Sequence, residues 1–566
     1  MWLLCPPLFA GEPSYTLSFD AREQHLVHVR ATIPAAGPET TLFMPTWTPG
    51  SYLVREYARN VERLGASGAD GAALPVRKVT KNRWVVESSA SFTLDYDVYA
   101  HELSVRTNWV DDELAVLNGA ATFVLPVGYA GPIEVTLDLP DAWSGAVSPL
   151  RGEDVLTAAD VDTLIDSPIV VGNPNVEKYT VDGVPHFLVD IPTRPGWDSA
   201  KAARGARKVA EALQRFWGDL PYERYVVLNW LTDGGGGLEH AESTLVMGNP
   251  GATSDEEAYA RWLALLAHEQ FHAWNGKRLR PVGLGPFDYE NEVYTRDLWF
   301  VEGFTSYYDD LLLVRAGVLD ERAYLERLGS SLAALASTPG REVQSLSEAS
   351  HDAWIKHYRP DENTKNTSVS YYAKGALVAW LLDAHIRAST ADARSLDDVM
   401  RALWKTHGTP YTSSSLRSGL SEAAGLPLED LLHRWVDTTE ELDLAPALAH
   451  FGLEQEVRTG APRAWLGLEV TDGKVAMVRR DGPAYSAGVS VGDELVALDG
   501  QRIRDLPAAL EGKEPGKRAA LTVTRRGRLV ELDVVLGGEP GPTGLSVRAD
   551  STRQQDRHRN RWLTGR

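Results

Sequence analysis

Apolar and polar residues alternate with a period of two over the first third of the chain. Runs of this kind occur at 15–19, 26–33 and 92–99, and Gly, Pro and Asp residues separate them. This alternation is typical of strands that bury one face, so it predicts an all-β domain over residues 14–175. Within that domain the cluster Trp47-Thr-Pro-Gly-Ser-Tyr52 is interpreted as a structural turn, because it lacks the spacing of metal ligands or nucleophiles.

The period changes to that of helices after about residue 195, and the region 176–450 is predicted to be largely α-helical. Ser254 and Glu257 form a predicted capping box that opens a helix reaching Phe271. The other predicted helices run over residues 198–216, 297–316, 321–336, 370–387, 395–406 and 427–440.

The last part of the chain is predicted to contain a small β-rich unit over residues 460–547. Its strand-like runs flank the sequence Gly482-Pro-Ala-Tyr-Ser-Ala-Gly488, which suggests one short helix. Residues 548–566 are polar and rich in arginine without periodicity, and we predict a disordered tail there. The whole chain is therefore expected to be a multidomain α+β protein.

Composition narrows the possible partners and cofactors. The 566 residues carry a net charge of −21, which disfavours binding to nucleic acid. The single cysteine, Cys5, excludes a thiolate zinc site, so any metal must be bound by His and carboxylate groups. No apolar run is long enough for a membrane span. Residues 1–13 resemble the remnant of a signal peptide, which slightly favours a periplasmic or secreted location over a cytoplasmic one.

The sequence His268-Glu-Gln-Phe-His272 is the strongest chemical signal. Two imidazoles four residues apart share one face of the predicted helix and can reach the same ion. Glu269 lies beside them and can act as general base on a bound water, as in zinc hydrolases. The alternative is a pair of surface histidines, which the helical context disfavours.

A catalytic zinc ion needs a third protein ligand, and two carboxylates compete for this role. Glu292 follows His272 at a familiar spacing, but its surroundings are polar. Glu302 lies in the apolar stretch from Leu298 to Tyr308, where a carboxylate must be paired or bound to metal. Glu302 is therefore favoured as the third ligand of one zinc ion.

Two further segments acquire a role only through a family resemblance. Tyr372 could donate to an oxyanion, but spacing alone makes it an ordinary core aromatic. Gly234-Gly-Gly-Gly-Leu-Glu239-His240 suggests a flexible loop that ends in an acid, and lacks the Gly-Lys-Ser/Thr of a phosphate-binding loop. From the residues alone, Glu239 could bind a substrate ammonium group or simply be solvated.

Taken in order, the motifs resemble those of the glycyl aminopeptidases, which are PDZ-bearing metallopeptidases of the gluzincin group. The resemblance covers roughly residues 15–540. It implies a saddle-like N-terminal β domain, a thermolysin-like zinc catalytic domain and a C-terminal PDZ domain. The segments that carry it are 47–60, Gly236-Gly-Leu-Glu-His240, His268-Glu-x-x-His272, Lys277-Arg-Leu-Arg-Pro281, Glu302-Gly-Phe-Thr-Ser-Tyr307 and Gly482–Asp493.

The resemblance also implies roles for single residues. Glu239, with Gly236 and Gly237, is similar to the motif that binds the substrate N-terminus in aminopeptidase N-type enzymes. Glu302 matches a zinc ligand of that group, and Tyr372 matches its oxyanion-stabilising tyrosine. The segment Trp465, Leu466, Gly467, Leu468 resembles a PDZ carboxylate-binding loop, which would bind the C-terminus of a peptide.

The expected activity is removal of N-terminal residues, Gly or Ala by family resemblance, from peptides. His240 departs from the motif, which has Asn at that position, so the geometry of N-terminus recognition stays open. One alternative is a zinc endopeptidase to which the PDZ domain delivers substrates. Another, of a different class, is a PDZ peptide-binding protein without catalysis. The sequence predicts no particular oligomeric state.

Overall fold

The computed structural model describes residues 9–406, 410–456, 462–539, 541 and 544–565. Most of the predicted signal remnant, including Cys5, lies outside the described residues. The chain divides into two compact units, and the first comprises Met1–Thr295, Tyr308–Val318 and Leu403–Thr412. The second comprises Arg296–Tyr307, Leu319–Ala402 and Ser413–Arg566. Among the described helices, none combines the length and the apolar character needed to cross a bilayer.

The first unit begins with the predicted β domain, which contains three sheets. Strand Leu26–Ile33 shows the predicted alternation, since Val27, Val29 and Ile33 are fully buried while polar residues between them face outward. In spatial order the largest sheet consists of Val155–Ala158, Ile133–Asp138, Ser14–Ser18, Leu26–Ile33, Phe92–Tyr99, Val61–Ser67 and Ala73–Leu74. The two smaller sheets consist of Gly145–Val147, Ile169–Gly172, Ala115–Leu117 and Trp109–Val110, and of Leu125–Pro126, Glu39–Phe43, Arg83–Glu87 and Val76–Lys78.

A mixed five-stranded sheet follows in the same unit and packs against the helix that carries His268. Its strands, in spatial order, are Asn175–Val181, Val184–Ile191, Tyr225–Leu231, Ser243–Gly248 and Gly237–Glu239. We number the helices of seven or more residues: α1 is Ser199–Trp217 and α2 is Glu256–Phe271. Trp262 of α2 donates its indole N–H to Asn229 of the sheet (3.1 Å), so a buried polar contact fixes the helix on the strands.

Most predicted helices of the region 176–450 agree with observed helices to within a few residues, whereas Ser413–Ala424 and Ala445–Phe451 were not predicted. Helix Leu298–Arg315 belongs to the second unit up to Tyr307 and to the first unit from Tyr308. The remaining predicted segment, 427–440, forms Glu429–Leu432 followed by a π-helical turn at His433–Asp437. The labelled helices are α3 (Leu298–Arg315), α4 (Glu321–Ala336), α5 (Tyr371–Thr390), α6 (Leu396–Thr406), α7 (Ser413–Ala424) and α8 (Ala445–Phe451).

Shorter helical segments connect these elements. The short α-helices are Gly119–Thr122, Val161–Ile165, Leu346–His351, Thr364–Thr367, Pro483–Ser486 and Leu506–Leu510. The 3₁₀ turns are Arg22–Gln24, Tyr57–Asn60, Ala252–Ser254, Val282–Leu284 and Pro339–Glu342.

The second unit contains the small β domain, and the chain enters and leaves this domain through two paired strands. Leu453–Glu456 lies antiparallel to Gly544–Val547, and Ala464–Trp465 pairs with Gly537–Gly538. The main sheet of the domain consists of Leu468–Thr471, Lys474–Val478, Glu494–Leu498, Arg518–Arg525 and Arg528–Val535, with Gln501–Arg502 paired to the third of these. The predicted fold class is confirmed.

The prediction of a disordered tail at 548–566 was wrong. Residues Arg553–Thr564 form helix α9, which begins with a capping box between Thr552 and Gln555. The prediction failed because the segment is hydrophilic overall. It nevertheless contains Trp562, which is fully buried and donates its indole N–H to the Tyr307 hydroxyl (2.8 Å). A single buried aromatic side chain therefore attaches a polar helix to the second unit.

Replacing Trp562 by Ala should lower the free energy of unfolding by about 3–5 kcal/mol, because it leaves a cavity and removes the hydrogen bond to Tyr307. Urea denaturation followed by far-UV circular dichroism would measure this change. Leu529→Ala is the matched control, since Leu529 is 71% exposed. A loss for Trp562→Ala no larger than that for Leu529→Ala would show that α9 is not part of the cooperative structure.

Candidate metal centre

Helix α2 carries both predicted histidine ligands and begins one residue later than expected. The predicted cap, Ser254, lies in a 3₁₀ turn, and Asp255 is the N-cap, with a carboxylate that accepts from the backbone N–H of Ala258 (2.7 Å). Asp competes well with Ser for this position, so the capping box was assigned to the wrong neighbour. The helix itself, and the histidine spacing on it, are unaffected.

The two imidazoles face each other through their Nε2 atoms, which lie 3.2 Å apart. The Nδ1 atom of His272 contacts the carbonyl oxygen of Asn275 (2.7 Å), and that of His268 contacts a carboxylate oxygen of Asp309 (3.3 Å). Carbonyl and carboxylate oxygens accept only, so Nδ1 is assigned as the donor in each ring. In that tautomer the Nε2 atom of each ring is suited to bind the same cation.

Glu302 completes the group of possible ligands. It lies on α3 seven residues before Asp309, two helical turns away on the same face of that helix. One ligand atom from each of His268, His272 and Glu302 lies within 4.8 Å of the others. The competing carboxylate, Glu292, is exposed and belongs to no such group among the described residues.

This donor set fits a catalytic zinc ion. Two imidazole nitrogens and one carboxylate oxygen leave a fourth position open, as catalytic zinc sites do. Ligands around tetrahedral zinc are about 3.3 Å apart when the bonds are about 2.0–2.1 Å long, and the two Nε2 atoms are 3.2 Å apart. The sequence analysis missed the two groups that contact the Nδ1 atoms of the histidines, the Asp309 carboxylate and the Asn275 carbonyl. The seven-residue spacing from Glu302 could have indicated Asp309.

Glu269 is 5% exposed, and a glycine makes room for it. A Cβ atom built on Gly237 would lie 2.6 Å from the Cδ and Cγ atoms of Glu269, which no real side chain tolerates. Arg106 donates to the backbone oxygen of Gly237 (3.1 Å) and so fixes the segment from the other side. The third glycine of Gly234–Gly237, Gly236, adopts a left-handed φ of 108°.

The second half of the segment predicted as a flexible loop, 234–240, is instead a short edge strand. Gly237–Glu239 pairs with Ser243–Gly248, and all three of its residues are buried. Glu239, 8% exposed, ends this strand against the turn cluster of the N-terminal domain. A Cβ atom on Gly50, whose φ is 84°, would lie 2.5 Å from Oε1 of Glu239. The turn cluster is therefore a neighbour of the candidate site as well as a structural turn.

His240, the departure from the family motif, is held by a buried ion cluster. Its Nδ1 atom contacts Asp166 (3.1 Å), which also accepts from Lys277 (2.6 Å) and from the backbone N–H of Ala241 (2.9 Å). Burial alone would raise the pKa of Asp166, but Lys277 and His240 together hold it well below its usual range. The histidine therefore fixes the end of the Glu239 strand through a carboxylate.

Tyr372 lies beside Glu302 because two helices cross at glycines. A Cβ atom on Gly303 of α3 would lie 2.5 Å from Cα of Gly375 of α5, so the two backbones are in direct contact. Burial, and then the negative charge of Glu302, raise the pKa of Tyr372 well above its usual range. The phenol consequently stays protonated, and able to donate, throughout the physiological pH range.

The predicted carboxylate-binding loop lines a cavity of about 780 Å³ in the small β domain. Trp465, Leu466, Gly467 and Leu468 form one wall, ahead of strand Leu468–Thr471, and the short helix Leu506–Leu510 forms the other. The basic residues of the lining, Arg463 and Lys513, are balanced by Glu511 and Glu539, and Lys513 donates to Asp499. The groove thus combines an exposed strand and an apolar wall.

Comparison with known families and solved structures agrees with this architecture. Residues 261–378 match the model of the M61 glycyl aminopeptidases, residues 14–173 match the M61 N-terminal domain, and residues 453–536 match a PDZ domain. A crystal structure from Idiomarina loihiensis, described as an aminopeptidase N family protein, is 30% identical with a TM-score of 0.90. The match covers 98% of this chain and 100% of that one.

Curated proteins match over a smaller part of the chain. A probable periplasmic serine endoprotease, DegP-like, from Pseudomonas fulva is 37% identical over 99 residues, which is 17% of this chain and 21% of that protein. Its counterpart from Brucella suis is 38% identical over 87 residues, 15% of this chain and 17% of that protein. The chain thus spans about a fifth of the length of these relatives.

Replacing Asp166 by Asn should lower the free energy of unfolding by about 3–5 kcal/mol at pH 7, because Lys277, 8% exposed, would lose its buried counter-charge. The folded-state pKa of Asp166 lies below its unfolded value of about 3.9, so its stabilisation is complete above that pH and is lost as the pH falls further. The difference in free energy of unfolding between wild type and Asp166→Asn should therefore narrow below about pH 4.

Urea denaturation of both proteins between pH 7 and pH 3 tests this expectation. Glu39→Gln, which removes an exposed ion pair with Arg77, is the control and should change the free energy of unfolding by less than about 1 kcal/mol at any pH. A gap between wild type and Asp166→Asn that widens on acidification would contradict the assignment.

Proposed function

Because the chain belongs to the M61 glycyl aminopeptidase family, we propose that it is a zinc-dependent aminopeptidase that removes N-terminal glycine or alanine from peptides. The observation that carries this proposal is the pair of Nε2 atoms 3.2 Å apart, with both Nδ1 protons engaged elsewhere. His268, His272 and Glu302 would hold one zinc ion. A zinc ion bound there would polarise the scissile carbonyl and lower the pKa of its water to about 7.

Glu269 is the proposed general base. Its carboxylate takes a proton from the attacking water and passes it to the amine that leaves. The Glu269 side chain lies close to the Gly237 backbone, which limits the rotamers open to it. The residue would thus hold the proton at one defined position between the two steps.

Tyr372 is the proposed donor to the carbonyl oxygen as negative charge develops on it. A phenol of raised pKa donates without adding a second positive charge to the site. The negative charge of Glu302 disfavours ionisation of the Tyr372 phenol, so the proposed zinc ligand helps to keep the proposed donor protonated.

Glu239 is the proposed anchor for the substrate's α-ammonium group. The carboxylate is buried at the end of an edge strand, and the edge offers backbone groups to which an extended peptide can pair. An ammonium group compensates a buried carboxylate, whereas an acetylated N-terminus leaves its charge unpaired. This favours an exopeptidase over an endopeptidase. The preference for small N-terminal residues rests on the description of the matched family.

The PDZ domain is proposed to bind the C-terminus of a peptide. The backbone of the Trp465–Leu468 loop suits a carboxylate, while Leu506 and Leu510 suit an apolar last residue. Amidation of a peptide's C-terminus should therefore weaken its binding to this domain.

The decisive experiment compares a peptide that begins Gly-Ala with its N-acetylated twin, using zinc-replete protein and mass spectrometry. Stepwise loss from the free peptide alone is expected.

Two variants test the proposed roles in the same assay. Glu269→Gln should lower kcat by about 10²–10⁴-fold while zinc stays bound. Glu239→Gln should lower kcat/KM for the free peptide by about 10–100-fold. Glu242→Gln is the control for the second variant. Internal cleavage of both peptides would replace the aminopeptidase by an endopeptidase, and cleavage of neither would favour a peptide-binding protein.

Replacing Gly50 by Ala should raise KM for the free peptide by about tenfold, because the new Cβ displaces the Glu239 carboxylate. Gly71→Ala is a matched control: Gly71 has a similar φ of 79°, but open space surrounds the position of its Cβ. Steady-state kinetics of the two variants separates displacement of Glu239 from backbone strain. Equal KM values for both variants would rule out the positioning role of Gly50.

A further inference from the structure

A second group of metal-binding side chains lies in the second unit, apart from the proposed catalytic residues. One ligand atom from each of Asp392, His450 and His558 lies within 4.8 Å of the others. Three separate elements contribute these residues: the turn after α5, helix α8 and helix α9. None of them takes part in the proposed peptidase mechanism.

The geometry between Asp392 and His450 matches that of two ligands of one metal ion. Oδ1 of Asp392 and Nε2 of His450 lie 3.4 Å apart, close to the edge of about 3.3 Å expected around tetrahedral zinc. Both atoms are buried, and apart from this mutual contact neither has a hydrogen-bond partner among the described residues. The Asp392 side chain is 1% exposed and that of His450 is 9% exposed. Buried polar atoms without partners are rare and require an explanation.

His558 completes the group from α9. Its Nδ1 atom contacts the other carboxylate oxygen of Asp392, and its ring stacks on that of His450 with centroids 4.3 Å apart. The stacking brings both imidazoles to the same carboxylate, with one ring at each of its oxygens.

The backbone conformation at Asp392 also indicates that the position of this residue is constrained. Ala391 and Asp392 both adopt left-handed conformations, with φ of 51° and 60°, although neither is glycine. This arrangement costs energy and directs the Asp392 carboxylate inward between α8 and α9. Arg561 lies 3.7 Å from Asp392, and its side chain is 53% exposed.

We propose that Asp392, His450 and His558 bind a second divalent metal ion of the zinc class, which attaches α9 to the turn after α5 and to α8. Its role is structural, since it links the last helix of the chain to two helices that precede the PDZ domain. Two imidazoles and a carboxylate match the ligands that zinc accepts.

Metal content of the full-length protein tests this proposal without reference to activity. After equilibration with buffered zinc, elemental analysis should give about two ions per chain for wild type, and about one each for His268→Gln/His272→Gln and for His450→Gln/His558→Gln. The combined fourfold variant should bind none. His433→Gln, which changes an exposed histidine, is the matched control and should behave as wild type.

A second measurement covers the case in which a variant does not fold. Zinc should raise the thermal unfolding midpoint of His268→Gln/His272→Gln, and further substitution of Asp392 by Asn should abolish this rise. One ion in wild type that is lost completely in His268→Gln/His272→Gln would overturn the proposal. Retention of an ion by the fourfold variant would also overturn it, because that ion would lie elsewhere.

Discussion

The burial of negative charge governs the organisation of this site. Glu239, Glu269 and Glu302 are only 8%, 5% and 2% exposed in a chain of net charge −21. Buried carboxylates are stable only when positive charge or several hydrogen bonds compensate them. In the proposed enzyme a zinc ion and the substrate's ammonium group supply that positive charge. Metal binding, substrate binding and the stability of the fold are therefore expected to depend on one another.

Glycines make these buried carboxylates sterically possible. Gly237 leaves space for Glu269, Gly50 leaves space for Glu239, and the contact of Gly303 with Gly375 brings Glu302 beside Tyr372. In each case the missing Cβ atom lets a backbone approach a carboxylate or another backbone closely. The glycines of the motifs thus have a steric role that is distinct from flexibility.

The sequence predicted which side chains come together better than it predicted the elements that support them. The spacing of His268 and His272, and the apolar setting of Glu302, indicated three side chains that do lie together. Helix periodicity explains the histidine pair, because it fixes which side chains share a face. The edge strand at Glu239 was not predictable, since its pairing depends on residues elsewhere in the sheet and its glycines suggested a loop. The buried helix α9 was missed for a related reason: a polar composition outweighed the single residue, Trp562, that anchors it.

The pairing of Leu453–Glu456 with Gly544–Val547 makes the PDZ domain an insertion in the second unit and not an appendage at its end. The polypeptide returns beside its point of departure and then continues into α9. Two adjacent attachments constrain a module far more than one tether, because they fix an axis instead of a point. A peptide bound in the PDZ groove would therefore be held in a more restricted orientation than one bound to a module on a single tether.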